Sequence, residues 1–267
     1  MDVRPWNQPR LNNSKSIDNP FDLASGVPIG LNWLDIEHEK RPRIKAYTSN
    51  PSSGCSSTVH LDAWGDTVLY SAGCTWLDIG KHDRDFQFGS HFTGGATDNR
   101  GKWTVKVTFD RPYARVPKVV TWLQEFELDN DHKWNLKSYV ENVTTTGFTL
   151  TVKGSSDTWI YKATACWIAH PSNRANITSG RFDSVDVCPA SQPRQQHSKN
   201  ITFDKKFERA PRVYAALNYF DITNGANLRI KALVKDVTAQ GLTLSIESWG
   251  DTVLNSAGVS YIAIEEY

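Results

Sequence analysis

The chain has 267 residues and a formal net charge of +1, with 39% hydrophobic and 22% charged residues, which is typical of a globular protein. Nucleic-acid binding needs clustered Lys and Arg, and a membrane span needs about 18–20 consecutive apolar residues. The sequence contains neither, so we expect no nucleic-acid partner and no membrane insertion. The amino-terminal stretch lacks the apolar segment of a signal peptide, which predicts a cytoplasmic protein or one released without a conventional signal.

The cysteines give a second indication of compartment. Cys55, Cys74, Cys166 and Cys188 form no CxxC pair and are spread unevenly along the chain. This pattern favours free thiols in an intracellular protein. A bridge between Cys55 and Cys74 remains an open alternative.

One sequence motif occurs twice in the chain, and a degenerate version lies between the two copies. Residues 64–79 read WGDTVLYSAGCTWLDI, residues 249–264 read WGDTVLNSAGVSYIAI, and residues 155–169 read SSDTWIYKATACWIA. Residues 113–169 align without a gap with residues 207–263, at a constant offset of 94. The recurrence indicates three related units in one chain.

The repeats can be placed along the whole chain. We predict their bounds at residues 1–80, 81–172 and 173–267. The first repeat starts late and lacks the opening stretch that the third has as SGRFD at 179–183. The glycine-rich segment 91–102 and the segment 173–180 are predicted as linkers between repeats.

Within a repeat, the pattern is one strand after another. In the third repeat we predict strands at 200–203, 211–222, 227–237 and 241–249, followed by an Asp-Thr turn and a last strand. Arg229-Ile230-Lys231-Ala232 alternates with period two, so Ile and Ala are expected to face inward. Gly147 and Gly241 are interpreted as hairpin turns. About six strands per repeat predict an all-β protein of three tandem six-stranded antiparallel β-sandwich domains.

This pattern resembles the H-type lectin domain, the fold of snail agglutinins and of the C-terminal domain of a slime-mould discoidin. The residues that carry the resemblance include SGRFD at 179–183, KNITF at 199–203, APRVYAAL at 210–217, NLRIKALVKDVTAQGLTL at 227–244, the turn at Trp249 and YIAIEEY at 261–267. The resemblance implies a trimer that binds N-acetylgalactosamine between neighbouring domains. Three copies in one chain imply an intramolecular pseudo-trimer, and further oligomerisation stays open.

The resemblance also implies which positions bind sugar: a loop Asp from one domain, and a strand Arg, a turn Trp-His pair and a Tyr from its neighbour. Such a site pairs a carboxylate or amide acceptor with a guanidinium donor and an aromatic surface. The loop position is Asp98 in the second repeat and Gln8 and Gln192 in the others; the strand position is Arg43, Asn135 and Arg229; the turn tryptophan position is Trp64, Ser155 and Trp249; and the tyrosine position is Tyr70, Tyr161 and Asn255. The turn histidine is replaced by Gly65, Ser156 and Gly250.

Each candidate also has a structural interpretation. Arg43 and Arg229 are equally explained as strand-face cations paired with nearby acids, and Trp64 and Trp249 as packing residues at a strand end. Tyr70 and Tyr161 face either solvent or sugar. Asp98 is equally explained as a turn residue. Further positions have mainly structural explanations: Asp66, Asp157 and Asp251 as turn-forming residues, and Trp33, Trp122 and Trp167 as core residues.

Three classes of function remain. The first is a lectin whose partners are glycans, with no cofactor and no metal. The second is a scaffold that binds proteins and has lost sugar binding. The third, a carbohydrate-active enzyme, finds little support, because no nucleophile or metal motif is present and the repeats offer no symmetric pair of carboxylates. The acid pairs Asp83/Asp85 and Asp129/Asp131 are interpreted as solvated loop acids.

Overall fold

The computed structural model describes residues 1–3, 10–18, 27–49, 56–79, 83–94 and 101–265. Over these ranges the regular structure consists of β-strands and one short 3₁₀ turn, Ser184–Asp186. None of the described helical structure is long and apolar enough to cross a membrane. The predicted all-β class is therefore confirmed.

Within the described ranges, each predicted repeat has six strands. The first has β1 (Asp2–Val3), β2 (Ser14–Asp18), β3 (Ile29–Ile36), β4 (Arg43–Ser49), β5 (Ser56–Asp62) and β6 (Leu69–Trp76). The second has β7 (Gln87–Gly94), β8 (Lys102–Thr108), β9 (Lys118–Leu128), β10 (Trp134–Glu141), β11 (Gly147–Lys153) and β12 (Ile160–His170). The third has β13 (Ile177–Asp183), β14 (Gln196–Thr202), β15 (Arg212–Ile222), β16 (Leu228–Lys235), β17 (Gly241–Glu247) and β18 (Leu254–Ile264).

The strands form three six-stranded antiparallel sheets, and every sheet is shared by two repeats. Their orders are β1-β6-β3-β16-β17-β14, β13-β18-β15-β10-β11-β8 and β2-β5-β4-β9-β12-β7. The repeats are joined where β3 pairs with β16, β4 with β9, and β10 with β15. Each repeat is thus hydrogen-bonded through its backbone to both of the others.

The alternation of residues along each strand builds the core. On β16, Ile230 is fully buried, whereas Arg229 and Lys231 are half-buried on the opposite face, as the period-two pattern predicts. Aromatic side chains from different repeats meet inside, with the rings of Phe126 and Phe220 5.4 Å apart. The apolar faces of all three repeats therefore contribute to one continuous core.

The central strands β3, β9 and β15 contact one another pairwise. Gly30 precedes the segment LNWLDI, Ala216 precedes LNYFDI, and Trp122 lies 94 residues before Ala216, so the three occupy corresponding positions. A side chain on Gly30 would overlap the Cβ of Trp122 and lie 2.8 Å from the Cβ of Ala216. One fully buried tryptophan therefore fills the space that three corresponding side chains would share.

The other tryptophans predicted for the core differ in burial. Trp33 is 6% exposed, which confirms the prediction. Trp167 is only half-buried and packs against Phe109 and Phe148. Trp122 also donates a hydrogen bond from Nε1 to the Ser260 carbonyl, so its indole nitrogen is satisfied inside the core.

Both predicted linkers are wrong in part. Residues 91–94 belong to β7 and residues 177–180 to β13, and each of these strands pairs along its length with the last strand of its own repeat. The glycines that suggested loops allow close contact, because a Cβ on Gly180 would lie 2.9 Å from the Tyr261 ring. Glycine in a strand here indicates a nearby aromatic ring and not a turn.

The opening strand of the first repeat is present over Asp2–Val3. Asp2 pairs with Gly73 as Asp183 pairs with Gly258, so β1 corresponds to the end of β13. The predicted absence of this stretch is therefore wrong for its last residues. The terminal ammonium of Met1 donates to the Cys74 carbonyl, which extends the pairing by one residue.

The hairpin glycines lie where they were predicted, but for another reason. Gly147 and Gly241 each begin a strand, and a Cβ on either would overlap a carbonyl oxygen of the adjacent strand. The positive φ angles belong instead to Asn142 (53°) and Asp236 (52°). Close backbone approach therefore explains these glycines.

The described cysteines carry free thiols. Cys74, Cys166 and Cys188 are buried and unbridged, and Cys55 lies outside the described residues. Burial raises the pKa of Cys74 to about 11 and that of Cys166 to about 12. These thiols are therefore protonated and unreactive at neutral pH.

Replacing the central tryptophan tests its role. We expect Trp122→Ala to lower the free energy of unfolding by about 3–5 kcal/mol, because a cavity forms where three repeats meet. Chemical denaturation measures the change. Trp103→Ala is the matched control, since Trp103 is only half-buried on the edge strand β8 and its loss is expected to cost much less. Equal losses in the two variants would contradict the central packing role.

Candidate functional site

The candidate strand residues lie where the repeats pair with one another. Arg43 is on β4, Asn135 on β10 and Arg229 on β16. Each of these strands pairs with a strand of a neighbouring repeat. An acidic residue of the neighbour lies directly opposite each one in register. The pairs are Arg43 with Glu127, Asn135 with Asp221, and Arg229 with Asp35.

At the junction of the first and second repeats, Arg43 contacts both sides. Its Nε donates to Glu127 Oε1 at 3.0 Å across the junction. Its Nη1 donates to Asp66 Oδ1 at 2.6 Å and to Thr67 Oγ1 at 3.3 Å in its own repeat. The arginine side chain is 11% exposed and that of Asp66 is 60% exposed, so the carboxylate lies at the surface.

Two aromatic side chains, one from each repeat, also lie at this junction. The ammonium of Lys162 lies 4.1 Å from the Trp64 ring centre, and the lysine also pairs with Glu125. The guanidinium of Arg41 lies 4.1 Å from the Tyr161 ring centre. Trp64 and Arg41 belong to the first repeat and the other three to the second, so the cluster exists only where the repeats meet.

A second cluster lies between the third and first repeats. Arg229 donates from Nη1 to Asp251 Oδ1 at 2.5 Å, and its Nε lies 3.4 Å from Asp35 Oδ1 of the first repeat. Trp249 packs edge-on against Trp33, with ring centres 6.4 Å apart. The Arg-carboxylate-Trp arrangement is therefore repeated at this junction.

The pKa values of the two acids that contact Arg229 are shifted in opposite directions. Burial raises the pKa of Asp35, and its contacts with Arg229 and Trp249 only partly offset this. The hydrogen bond from Arg229 lowers the pKa of the exposed Asp251. The hydrogen bond from Arg43 likewise lowers the pKa of Asp66.

The junction of the second and third repeats has no guanidinium at the strand position. Asn135 donates to Asp221 Oδ2 at 2.8 Å, and Asn255 donates to Asp221 Oδ1 at 2.9 Å. Lys133 also pairs with Asp221 at 2.8 Å. In the turn, Ser155 replaces the tryptophan and bonds Thr158 at 2.9 Å. An amide network takes the place of the arginine cluster here.

The turn geometry explains why no histidine follows Trp64 or Trp249. Gly65 and Gly250 have φ angles of 65° and 66°, which disfavour a side chain. A Cβ at these positions would lie 3.0 Å from Arg43 Nη1 and 2.8 Å from Arg229 Nη1. Glycine therefore lets each guanidinium lie across the turn and reach the next aspartate.

For the remaining candidates, Gln8, Gln192, Asp98 and Tyr70, the structure describes no contact with the arginine clusters. Gln192 is exposed in a loop, and three residues later Gln195 donates to the Gly250 carbonyl at 2.6 Å. This loop thus lies against the turn of its own repeat because β14, which follows it, pairs with β17, which leads into that turn. Gln8 and Asp98 lie outside the described residues. Tyr70 is half-buried on β6.

The grouping of residues therefore differs from the one that the resemblance implies. The loop of Gln192 accompanies the Trp249 turn of the same repeat, whereas Tyr161 lies against Arg41 of the neighbouring repeat. The position of the tyrosine follows from β12, which pairs with one edge of β9 while β4 of the first repeat pairs with the other.

The acids opposite the three strand candidates were not predicted from the sequence. Asp35, Glu127 and Asp221 occupy the same place in all three repeats, inside strands that are otherwise mostly apolar. A charge kept at that place in every repeat was a usable signal. The turn residues Asp66 and Asp251 were assigned to turn formation, and in the structure their carboxylates bind arginine.

The two acid pairs were interpreted as solvated loop acids, and for Asp129 this is wrong, because it is buried with 7% exposed. Asp129 accepts from His132 and Tyr161, and Asp85 pairs with Arg174. Over the described ranges no group of three His, Cys, Asp or Glu side chains is arranged to hold a metal ion.

Comparison with known proteins places these features in context. The family model of the H-type lectin domain matches residues 104–170 and 198–264, which together make up half of the chain. A protein of Fuscovulum blasticum called ATP synthase subunits region ORF 7 is 27% identical over 82 residues, covering 31% of this chain and 70% of that protein.

Two solved structures of discoidin II from Dictyostelium discoideum are distantly similar. The wild-type structure has a TM-score of 0.30 at 10% identity and covers 91% of this chain and 74% of its own. The native recombinant structure has a TM-score of 0.29 at 9% identity, covering 96% and 95%. TM-scores this low do not establish a common fold.

The opposite pKa shifts of Asp35 and Asp251 can be tested through the pH dependence of stability. Because the pKa of Asp35 is raised above 3.8, its ionisation costs stability as pH rises through the folded-state pKa. We expect Asp35→Asn to gain stability relative to the wild type as pH increases from about 3 to about 7. Urea denaturation across this range gives the difference.

Asp251→Asn is the matched control with the opposite sign. The pKa of Asp251 is lowered below 3.8, so its contribution is present above that pH and is lost as pH falls through the folded-state pKa. This variant should therefore lose stability relative to the wild type at neutral pH but not in acid. The same slope in both variants would contradict the assignment.

Proposed function

The chain belongs to the H-type lectin family, and on this premise we propose that it binds terminal galactose- or N-acetylgalactosamine-type sugars at the junctions between its repeats. Carbohydrate binding in general follows from the family. The sugar class and the location at the junctions are the proposal, and both rest on the chemistry around Arg43 and Arg229.

The observation that carries the proposal is a donor beside an acceptor on a half-exposed surface. Arg43 uses Nε and Nη1 on Glu127, Asp66 and Thr67, and its Nη2 has no hydrogen bond to any described residue. Asp66, whose Oδ1 accepts from Arg43, keeps Oδ2 available and is 60% exposed. A guanidinium donor next to a carboxylate acceptor matches two neighbouring hydroxyls of one sugar.

Aromatic rings beside this pair provide the apolar surface that a sugar ring also needs. Trp64 is half-buried at the turn, and Tyr161 approaches from the second repeat beside Arg41. At the junction of the third and first repeats, Trp249 stands beside Arg229 in the same way. We therefore propose two arginine-centred sites, one at each of these junctions.

Each site is expected to bind weakly. A charge-assisted hydrogen bond contributes about 1.5–3 kcal/mol, and a shallow site makes only two or three. Two sites on one body raise the apparent affinity for a surface that carries many glycans. We propose that the cyclic pairing of the three repeats is the intramolecular counterpart of a trimer, which fixes the spacing between the sites.

A protein-binding scaffold is the second candidate function. Both arginines are already paired with acids of the protein, Arg43 with Glu127 and Asp66, and Arg229 with Asp35 and Asp251. The missing turn histidine also removes one polar partner for a sugar. We propose no catalysis in either case, since the described junction acids are engaged by cations or amides and do not form a free pair across a cleft.

The exposed turn aspartates give the sharpest test of sugar binding. We expect the double variant Asp66→Asn and Asp251→Asn to bind galactose-type glycans about tenfold more weakly, because the charged acceptor is lost at both sites. A glycan array followed by calorimetry measures the change. Asp157→Asn is the matched control, since its repeat has Asn135 and Ser155 in place of the arginine and tryptophan.

Arginine variants complete the test. Arg43→Ala and Arg229→Ala should weaken binding while the circular dichroism spectrum stays that of a folded β protein. Unchanged affinity in the arginine and aspartate variants would place the sugar elsewhere. An array without any signal would exclude the lectin proposal and favour the scaffold.

A further inference from the structure

A cavity of about 300 Å³ lies between the second and third repeats, away from the arginine clusters. Its lining includes Lys118, Thr121, Tyr139, Arg181, Asn218 and Ser260. The volume is at the small end of the range for ligand sites, about 300–1,000 Å³. Two cations and no acid belong to the lining, so the cavity is suited to an anionic ligand.

An unsatisfied amide lies in the wall of this cavity. Asn218 is 5% exposed, and its Oδ1 is buried without a hydrogen-bond partner among the described residues. It is the extra residue of a β-bulge between Leu217 and Tyr219. The oxygen lies 2.7 Å from where a Cβ on Gly258 would stand, so it faces β18, and the amide nitrogen is the group left for a partner in the cavity.

The corresponding amides at the other two junctions are closed. Asn32, at the equivalent bulge of β3, donates to Thr75 Oγ1 at 2.8 Å, and that hydroxyl donates to the Ala215 carbonyl. Gln124, at the bulge of β9, accepts from Ser90 Oγ at 2.6 Å and donates to the Ala46 carbonyl. Both counterparts thus donate from the amide nitrogen, whereas Asn218 Nδ2 makes no hydrogen bond to a described residue, so the open nitrogen is a difference between repeats.

Arg181 is a second difference between the repeats, because the second repeat has an uncharged residue, Ser90, at the corresponding position. It pairs in register with Ser260, and Ser90 pairs with Cys166, which corresponds to Ser260 at the offset of 94. Arg181 thus stands where the second repeat has a serine that closes the amide. The Arg181 side chain is exposed and has no hydrogen bond or ion pair to any described residue. Lys118 is partly neutralised by Asp204, so Arg181 supplies the available charge.

We propose that this cavity is a second carbohydrate site and takes an acidic monosaccharide, a sugar that carries one carboxylate. Arg181 binds the carboxylate through its paired N–H donors. The amide of Asn218 and the hydroxyl of Ser260 bond to sugar hydroxyls, and the Tyr139 ring covers the C–H face of the sugar. That the ligand is a sugar, and not another carboxylate, rests on the lectin function proposed above; the position of the site does not.

The test uses the full chain and two probes, the methyl glycosides of N-acetylneuraminic acid and of glucuronic acid. Binding is followed by saturation-transfer NMR and calorimetry in the wild type, Arg181→Ser and Arg115→Ser. Arg181→Ser introduces the residue that the second repeat has at this place. Arg115 is an exposed arginine outside the cavity lining, so its variant removes the same charge from elsewhere.

We expect at least one acidic glycoside to bind the wild type and Arg115→Ser equally, and Arg181→Ser about tenfold more weakly or worse. Methyl galactoside should not compete for this site. No binding of either acidic glycoside, equal binding to all three proteins, or equal displacement by inorganic phosphate would overturn the proposal, the last because it would indicate a general anion patch.

The experiments can contradict the cavity proposal and the junction-site proposal independently of each other. Acidic-sugar binding that is retained in the double variant Asp66→Asn and Asp251→Asn supports this cavity even if galactose-type sugars do not bind at all. Galactose-type binding that depends on Asp66 and Asp251, with neither acidic glycoside bound, overturns this cavity and leaves the junction sites intact.

Discussion

Three antiparallel strand pairings between repeats, β3 with β16, β4 with β9 and β10 with β15, hold this molecule together. Without them each repeat would expose the inner edges of two three-stranded half-sheets, with unpaired backbone donors and acceptors. The same pairings bring each strand arginine or asparagine opposite an acid of the neighbour. The electrostatics of the junctions therefore follow from the register of the strands.

The arginines at two junctions connect assembly with the proposed recognition. Arg43 donates from Nε to the neighbouring repeat and from Nη1 to the turn of its own repeat. These bonds fix the guanidinium plane and leave Nη2 without a partner among the described residues. A donor held in this way loses little side-chain entropy when it binds a ligand. The glycines beside the turn tryptophans make this arrangement sterically feasible, and they do so at the position where the family has its histidine.

The sequence predicted the strands well, because their alternation is regular and the third repeat has clear turn signals. It did not predict which strands pair between repeats, since alternation shows which face is buried but not which neighbour covers an edge. Gly180 misled the linker assignment, because nothing local reveals that the Tyr261 ring lies over it. The candidate arginines were named from their position in the repeat, but their acidic partners in the neighbouring repeats are 84 residues or more away in the chain. Asp98 and Gln8 stay predictions.

The meeting point of Gly30, Trp122 and Ala216 has a consequence for how the chain evolved. Three copies of the second repeat would place three indoles in a space that holds one, and three copies of the first would leave a hole there. The three repeats therefore fit together at this point only in this combination. Replacing any one of them by a copy of another requires the centre of the molecule to be repacked, which restricts how a single repeat can be lost or exchanged.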